Sequence, residues 1–207
     1  IYSSKHKGRS YIDFEKNELL KGLEFIDPLH KAIINKKTLE ISYQSFKARQ
    51  PVVMIMYPYL LKEYRNRWFL LCMNKKGQNV TILALDRIDT VKEISEKYVK
   101  TDKLDIETFF DDVIGVSKNV GQNPIMIIMK IDWENAPYII TKPIHSSQKV
   151  LKEEEDGMIF SINVVWNFEL EREILGFGEK LKVIGPKRLV GRLAARLKKN
   201  LENYSDK

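Results

Sequence analysis

Aromatic and cationic residues are interleaved in one short stretch of the sequence, YPYLLKEYRNRWFLL, which begins at Tyr57. Aromatic rings can stack on nucleobases, and lysine or arginine can neutralise phosphate, so this mixture suits an oligonucleotide. Charged side chains are rarely buried, which predicts that the cations of this stretch reach solvent. A solvated hairpin whose rings cover the edge of a sheet would look the same. Both interpretations stay open for Lys62 and Arg67, and the solvated hairpin is favoured for Arg65. Tyr57 and Tyr59 are the candidate stacking rings.

Arg87 is a further cation whose surroundings indicate an anionic partner. It follows Asp86 in the segment NVTILALDRIDTVKEI, where the residues alternate as in a strand. This alternation places Arg87 on the side of the leucines, so we expect its guanidinium to point partly inward. A buried guanidinium needs a carboxylate or a phosphate as its partner. A structural ion pair is the favoured interpretation, and a ligand phosphate is the alternative.

A polar cluster in the second half, TKPIHSSQ, brings a histidine next to two serines. A nucleophile and its base also need an orienting third group and an oxyanion site, and the sequence signals neither. We therefore predict no catalytic residues and no enzymatic activity. Lys142, His145 and Gln148 are interpreted as an interdomain or secondary contact, with ligand contact as the alternative. The other two histidines lack the spacing of metal ligands, so neither a metal nor a cofactor is expected.

The composition is that of an ordinary globular protein. Of the 207 residues, 43% are hydrophobic and 30% are charged, which suits one large or two modest domains. The formal net charge of +7 favours an acidic or phosphate-bearing partner. The sequence shows neither an apolar run long enough to cross a membrane nor the pattern of a signal peptide. With Cys72 as the single cysteine, an internal disulfide is impossible, and we expect a cytoplasmic location.

The elements that carry the first set of residues predict a small sheet. Residues 1–25 are interpreted as a linker, and DPLHKAIINKK predicts a helix because Leu29, Ala32 and Ile33 share one face. TLEISYQSF alternates strictly, and PVVMIMYPYLL, RWFLLCMN and NVTILALDRIDTVKEI indicate three further strands. Because no crossover helix separates them, an antiparallel arrangement is expected. A small closed β-barrel over residues 26–98 fits these signals.

A change of rhythm after residue 98 predicts a second unit. Residues 99–119 include a short helical patch around Ile106–Asp112 and are interpreted as a linker. Residues 120–207 follow the order strand, helix, strand, strand, helix, strand, which is that of a ferredoxin-like sandwich. A last helix begins at Pro186, and its leucines recur every four residues, which predicts one buried face. The neighbouring arginines are interpreted as a solvated stripe, with a phosphate or dimer contact as the alternative.

Taken together, these motifs resemble the WYL domain of bacterial transcription regulators. In that family a Pro-x-x-Leu segment precedes a Trp-Tyr-Leu strand, and an Asp-Arg-Ile strand closes a small Sm-like or SH3-like barrel. Here Pro58 and Leu61 match the first motif, Trp68-Phe69-Leu70 stands for the second, and Asp86-Arg87-Ile88 matches the third. YIITKPIHSSQ and the segment beginning ELEREILGFGEKLKVIG resemble the C-terminal extension domain found with WYL domains. The resemblance covers about residues 20–204.

The resemblance implies an α+β protein, with a helix and a WYL barrel followed by a ferredoxin-like domain and a C-terminal helix. It implies the sensor portion of a regulator that binds duplex DNA through a helix-turn-helix preceding Ile1 and forms a homodimer. The expected effector is a nucleotide or oligonucleotide, bound at five residues: Tyr57, Tyr59, Lys62, Arg67 and Arg87. A direct, Sm-like binder of single-stranded nucleic acid, without a switch, is the alternative function.

Two features depart from the family pattern. Thr81 and Ala84 stand where many WYL domains carry further arginines, so part of the usual basic patch is missing. Phe69 replaces the tyrosine of the Trp-Tyr-Leu motif and lacks its hydroxyl. We therefore do not expect the effector contacts of the family to carry over unchanged.

Overall fold

The computed structural model describes residues 20–74, 80–100, 105–118 and 120–205 of the chain. These residues form two antiparallel sheets, of five and four strands, and each sheet has its own buried core. The predicted mixture of helices with antiparallel strands is confirmed. No helix in the described ranges combines the length and the apolar character needed to cross a membrane. Most of the predicted linker 1–25 lies outside the described residues.

The first unit is one helix followed by a five-stranded sheet. The strands hydrogen bond in the order β4-β3-β2-β1-β5. The helix buries Leu29 and Ala32 completely, as their shared face predicts, whereas Ile33 is only partly buried. In chain order the elements are α1 (Ile26–Ile34), β1 (Thr38–Tyr43), β2 (Val52–Tyr64), β3 (Arg67–Asn74), β4 (Val80–Ala84) and β5 (Ile88–Ile94).

The alternation in β1 builds the core of this unit. Leu39 and Ile41 are almost fully buried and pack with Met56, Leu70 and Cys72 against α1. Burying an aliphatic side chain contributes roughly 1.5–3 kcal/mol, so this cluster stabilises the first sheet. The alternation of β1 is therefore confirmed at Leu39 and Ile41, whereas Tyr43 on the same side is only partly buried.

The predicted fourth strand is interrupted at the residues of the Asp-Arg-Ile motif. β4 ends at Ala84, a 3-10 turn occupies Leu85–Arg87, and β5 begins at Ile88. The prediction that Arg87 lies in a continuous strand is therefore wrong, because the chain turns here to leave β3 and pair with β1. In the described residues β4 and β5 do not pair, so the sheet is open along its hydrogen-bonded edges.

The segment that joins the two units is packed, although it lacks regular structure. Residues 105–118 form turns and bends, so the helix predicted around Ile106–Asp112 is wrong. Phe109, Phe110 and Val116 are nevertheless buried against the outer face of β3 and its neighbours. Ile114 joins the core of the second sheet. The connector, as we call residues 105–118, thus holds both sheets through apolar contacts.

The second unit has the predicted element order. Its strands hydrogen bond in the order β7-β8-β6-β9, and two helices separate them in the chain. The core includes Ile127, Met129, Phe160 and Ile162 from the central strands β6 and β8. In chain order the elements are β6 (Ile125–Ile131), α2 (Ala136–Thr141), β7 (Lys149–Glu154), β8 (Gly157–Val164), α3 (Phe168–Gly176), β9 (Leu181–Gly185) and α4 (Lys187–Ser205).

Only the first half of α4 is packed. Leu189 and Leu193 belong to the core, whereas Leu197 and Leu201 are 52% and 66% exposed. The prediction of one continuous buried face is therefore wrong for the second half of the helix.

Candidate ligand-binding cleft

A wide cleft separates β2, β3 and β4 of the first sheet from the start of α3 in the second unit. Its volume is about 1000 Å³, at the upper end of the roughly 300–1,000 Å³ found for ligand sites. The connector contributes part of its wall. Five cations line this interdomain cleft: Arg65, Arg67, Arg87, Lys118 and Arg172. Five rings also line it: Tyr43, Tyr64, Phe69, Trp166 and Phe168.

The tip of the β2–β3 hairpin brings the two units together. Arg65 and Asn66 have φ values of 51° and 62°, and such pairs of positive φ values belong to tight two-residue hairpin turns. The turn points Arg65 at α3, where its guanidinium forms an ion pair with Glu173. The guanidinium of Arg172 lies 3.4 Å from the hydroxyl oxygen of Tyr64. These contacts form a polar bridge at one end of the interdomain cleft.

Arg67 and Arg87, which line the cleft, share the carboxylate of Asp86, which does not line it. Asp86 lies 3.6 Å from Nη1 of Arg67 and 3.8 Å from Nε of Arg87, so neither contact is a close hydrogen bond. The Arg67 side chain is 52% exposed. The guanidinium of Arg87 stacks 3.9 Å from the ring of Phe46, and its Nε is buried without a hydrogen-bond partner among the described residues. The exposed part of the Arg67 side chain, and the smaller exposed part of the Arg87 side chain, therefore remain open to an anion.

Lys62 does not join Arg67 in the cleft. It is half-buried, and its Nζ lies 5.5 Å from the centre of the Phe110 ring in the connector. Its cation–π contact accounts for the position of the amino group without a ligand. Lys62 and Arg67, which the sequence pattern groups together, therefore lie in different environments. Lys62 packs on the connector, which covers the outer face of β2, whereas Arg67 lines the cleft.

Tyr57 and Tyr59 lie in a buried cluster with Tyr98. They are 2% and 8% exposed. The centre of each ring lies 5.8 Å from the centre of the Tyr98 ring, in an edge-to-face arrangement. The hydroxyl of Tyr59 donates a 2.8 Å hydrogen bond to the carbonyl of Val99, and burial raises the pKa of this phenol. This burial corrects the expectation that the two rings are open to a ligand. Both rings are buried because Tyr98, in the segment after β5, packs over them.

Lys118 and Arg172 are cleft residues that the sequence pattern did not single out. Lys118 is bound to Asp112 at 2.5 Å and to the carbonyl of Phe109 at 2.8 Å, so its charge is largely balanced. Arg172 follows Phe168 by four positions on α3, and its guanidinium lies 5.9 Å from that ring. Arg172 lies in the segment ELEREILGFGEKLKVIG, but nothing in that pattern marks it as a ligand contact. Only the folding of α3 and the connector against the first sheet brings Lys118 and Arg172 to the same cleft as Arg67.

The arginine stripe on α4 is held by a buried acid. Glu171 is 6% exposed and accepts hydrogen bonds from Trp166 and Arg196, while Arg192 lies 3.5 Å away. Burial raises the pKa of Glu171, but these hydrogen bonds and charges outweigh it and hold the pKa below its usual range. Arg188 stacks on Trp166. A structural role thus accounts for most of this stripe.

The predicted interdomain contact divides into two parts. His145 faces the connector. Burial lowers the pKa of its ring, and this effect outweighs a hydrogen bond with the backbone of Asp111 and the charges of Asp112 and Asp111, which raise the pKa. Gln148 instead ties a loop of its own unit, since it binds the carbonyl of Ile139 and the amide of Ile144. Lys142 is exposed.

No metal or nucleophile site is evident among the described residues. They contain no group of three or more histidine, cysteine or acidic side chains placed to hold a metal ion. Cys72 is fully buried, and burial raises the pKa of its thiol far above the usual value. His145 binds Ser147 at 2.8 Å, but that serine also donates to the carbonyl of Asn163, so the pair belongs to a loop network.

Comparisons with known proteins assign each unit to a domain family. The model of the WYL domain matches residues 24–93, and the model of the WCX domain matches residues 123–201. Searches of curated sequences give no significant match. Among solved structures, a CRISPR Cas-related protein is similar with a TM-score of 0.54 and 9% identity, over 88% of this chain and 52% of that one.

A second solved structure matches a larger share of this chain, but the match covers a smaller share of that structure's own chain. Proteasome accessory factor B/C (PafBC) of Arthrobacter aurescens matches 92% of this chain, with 12% identity and a TM-score of 0.37. This chain spans only 28% of PafBC and about half of the CRISPR Cas-related protein. At these identities the similarity concerns the fold alone.

Proposed function

Because the chain belongs to the WYL-domain proteins and carries a WCX domain after its WYL domain, we propose that it is the ligand-sensing portion of a bacterial transcription regulator. Its effector is an anionic nucleotide or oligonucleotide, and its binding modulates contact with duplex DNA made elsewhere in the regulator. The finer architecture is part of the same proposal. The WYL unit is a small Sm-like barrel, and the WCX unit is a ferredoxin-like sandwich.

One observation carries the proposal: the interdomain cleft combines cations with open aromatic rings. Arg67 and Arg172 are exposed, and Arg can hold a phosphate through two hydrogen bonds. Phe168 is 59% exposed beside them. Stacking of a base on such a ring contributes roughly 1–3 kcal/mol, while the arginines neutralise the backbone. Thr81 and Ala84 leave room in the same wall, where arginine side chains would fill it.

The mechanism is a shift between two arrangements of the units. A ligand in the cleft touches both units, so its affinity depends on their relative position, which is the condition for it to bias that position. The bridge from Arg65 to Glu173 is an exposed ion pair, worth roughly 0.2–1 kcal/mol in such settings. A phosphate that takes Arg65 from Glu173 can therefore alter the arrangement at small cost.

The test measures binding and arrangement in the same chain. A single-stranded oligonucleotide of about ten nucleotides, within the size range of single-strand sites, is titrated into protein labelled with two dyes at K37C and K149C. Both lysines are exposed and lie outside the cleft wall, and Cys72 is buried and escapes the dyes. We expect energy transfer between the dyes to change over the concentration range in which anisotropy reports binding.

The other outcomes of this titration are equally informative. Binding without a change in energy transfer supports the alternative, a single-strand binding module without a switch. Absence of binding to any nucleotide or oligonucleotide at low salt rejects the proposal. We propose no enzymatic role, so the ligand should be recovered intact after long incubation. Turnover of the ligand would overturn the proposal that the protein is not an enzyme.

We also propose that the protein works in the cytoplasm as a homodimer. The exposed leucines on the second half of α4, Leu197 and Leu201, are consistent with a partner on that helix. Light scattering during gel filtration gives the mass directly. A mass of one chain at micromolar concentration would reject the homodimer and leave the cleft proposal intact.

A further inference from the structure

One carboxylate lies in the wall of the otherwise cationic interdomain cleft. Glu169, in the first turn of α3, is the only acidic residue among the described residues that line it. It is 7% exposed, and its Oε1 accepts a 2.7 Å hydrogen bond from the hydroxyl of Ser117. Its Oε2 is buried without a hydrogen-bond partner among the described residues. A buried acceptor without a partner is destabilising, so its presence calls for an explanation.

The backbone around Glu169 is shaped to its side chain. Gly115 of the connector has a φ of +84°, and a Cβ built on it would lie 2.5 Å from Cγ of Glu169. Asn167 caps α3 by accepting a hydrogen bond from the amide of Leu170, and its own amide donates to the carbonyls of Ile114 and Ser117. These bonds fix the start of α3 on the connector and hold Glu169 at the cleft.

This carboxylate opposes the binding of phosphate. It sits in the same wall as the five cations, so its negative charge weakens their attraction for an anion. A role in which it accepts a hydrogen bond removes this contradiction, because nucleobases carry N–H donors while their phosphates carry only acceptors. Phe168, the residue before it, presents a 59% exposed ring to the same space.

We propose that Glu169 reads the base of the ligand and selects guanine, an inference that rests on the proposed nucleotide function of the cleft. The base stacks on Phe168, and the carboxylate accepts hydrogen bonds from the ring N1–H and the exocyclic N2 amino group. Oε2 is covered by its surroundings, so the side chain turns toward the cleft as the base arrives. The phosphates meanwhile face Arg67 and Arg172.

The Watson–Crick edges of the bases explain the choice of guanine. Proteins read unpaired bases along this edge. Guanine offers two adjacent donors there, which match the two oxygens of a carboxylate. Adenine and cytosine each place an unprotonated ring nitrogen next to the amino group, and that lone pair repels the second oxygen. Thymine and uracil offer one donor between two carbonyl oxygens.

The test uses short oligothymidines that differ only in one central base. Guanine, adenine, cytosine and hypoxanthine are compared, the last of which keeps the ring N1–H of guanine and lacks the N2 amino group. A hydrogen bond to a charged group is typically strong, so we expect guanine to bind roughly tenfold tighter than adenine or hypoxanthine. In Glu169→Gln the amide replaces one acceptor by a donor, and the preference for guanine over adenine should fall to within about twofold.

A matched variant controls for the change in charge. Glu179→Gln removes one negative charge from an exposed site outside the cleft wall, so it should keep the preference for guanine. Equal affinity for the four oligonucleotides, or a preference for guanine that survives in Glu169→Gln, rejects the inference while the proposed function stands. Absence of binding to every oligonucleotide rejects the proposed function itself. If Glu169→Gln fails to fold, the comparison of guanine with hypoxanthine in the unaltered protein decides alone.

Discussion

Replacing Asp86 by asparagine is expected to tighten the binding of single-stranded oligonucleotides. The carboxylate of Asp86 lies 3.6 Å from Arg67 and 3.8 Å from Arg87, and both arginines face the interdomain cleft. A phosphate must compete with this carboxylate for both guanidinium groups. Asparagine keeps the size of the side chain and removes the competing charge, so the arginines become more available to the ligand.

The size of the expected gain in affinity follows from the solvent exposure of the Arg67–Asp86 and Arg87–Asp86 ion pairs. The side chains of Arg67 and Arg87 are 52% and 27% exposed, so each contact with Asp86 is comparable to a surface ion pair, worth roughly 0.2–1 kcal/mol. Releasing both corresponds to about 0.4–2 kcal/mol. The dissociation constant should therefore fall by about 2- to 30-fold at low salt, and the gain should shrink as salt is added.

Fluorescence anisotropy with a labelled oligothymidine measures this change. Glu93→Gln, at an exposed site of β5 outside the cleft wall, removes the same charge and serves as the control. It should shift the affinity less than twofold. Arg67→Ala should weaken binding, whereas Lys62→Ala should have the smaller effect because its amino group lies over Phe110. An affinity that Asp86→Asn leaves unchanged or lowers would refute the assignment of these arginines to the ligand.

Three further predictions concern stability and reactivity. Gly115→Ala should lower the free energy of unfolding by about 1–3 kcal/mol more than Gly121→Ala in urea titrations, since both have positive φ but only the first meets Glu169. Cys72 should react with a thiol reagent only at the rate of unfolding, because it is buried and its thiol pKa is raised; rapid labelling of the native protein would contradict this. Two lysines lower the pKa of Glu154 to about 2, so its ion pairs add stability above its usual pKa that is lost as pH falls from about 5 to 2. The stability difference between the natural protein and Glu154→Gln, followed by urea titration, should vanish over that range; a constant difference would contradict the prediction.

Local patterns predicted the elements of the fold well. The helix at α1, the alternation of β1 and the strand–helix order of the second unit follow from side-chain periodicity, which depends only on neighbours in the chain. The turn at Leu85–Arg87 escaped this reasoning because the alternation of apolar residues continues through it. The packing of residues 105–118 also escaped it, since contacts of Phe109 and Phe110 with the first sheet are distant in sequence.

The candidate site was predicted only in part, for the same physical reason. Arg67 and Arg87 were identified from motifs, and both line the cleft. Tyr57 and Tyr59 were expected beside them, yet the chain after β5 covers both rings, and sequence patterns do not reveal which face of a strand a distant segment covers. Arg172 belongs to the cleft only because α3 docks against the hairpin, a contact over more than one hundred positions in the sequence.

The salt dependence of oligonucleotide binding tests the central claim most directly, namely that an anion binds between the two units. For single strands, each phosphate contact contributes about −0.7 to the slope of the logarithm of the association constant against the logarithm of salt concentration. The double variant Arg67→Ala with Arg172→Ala should lose about 1.4 from this slope. Lys92→Ala with Lys149→Ala, two exposed sites outside the cleft wall, should retain it. Equal slopes for the unaltered protein and the arginine double variant would contradict the account.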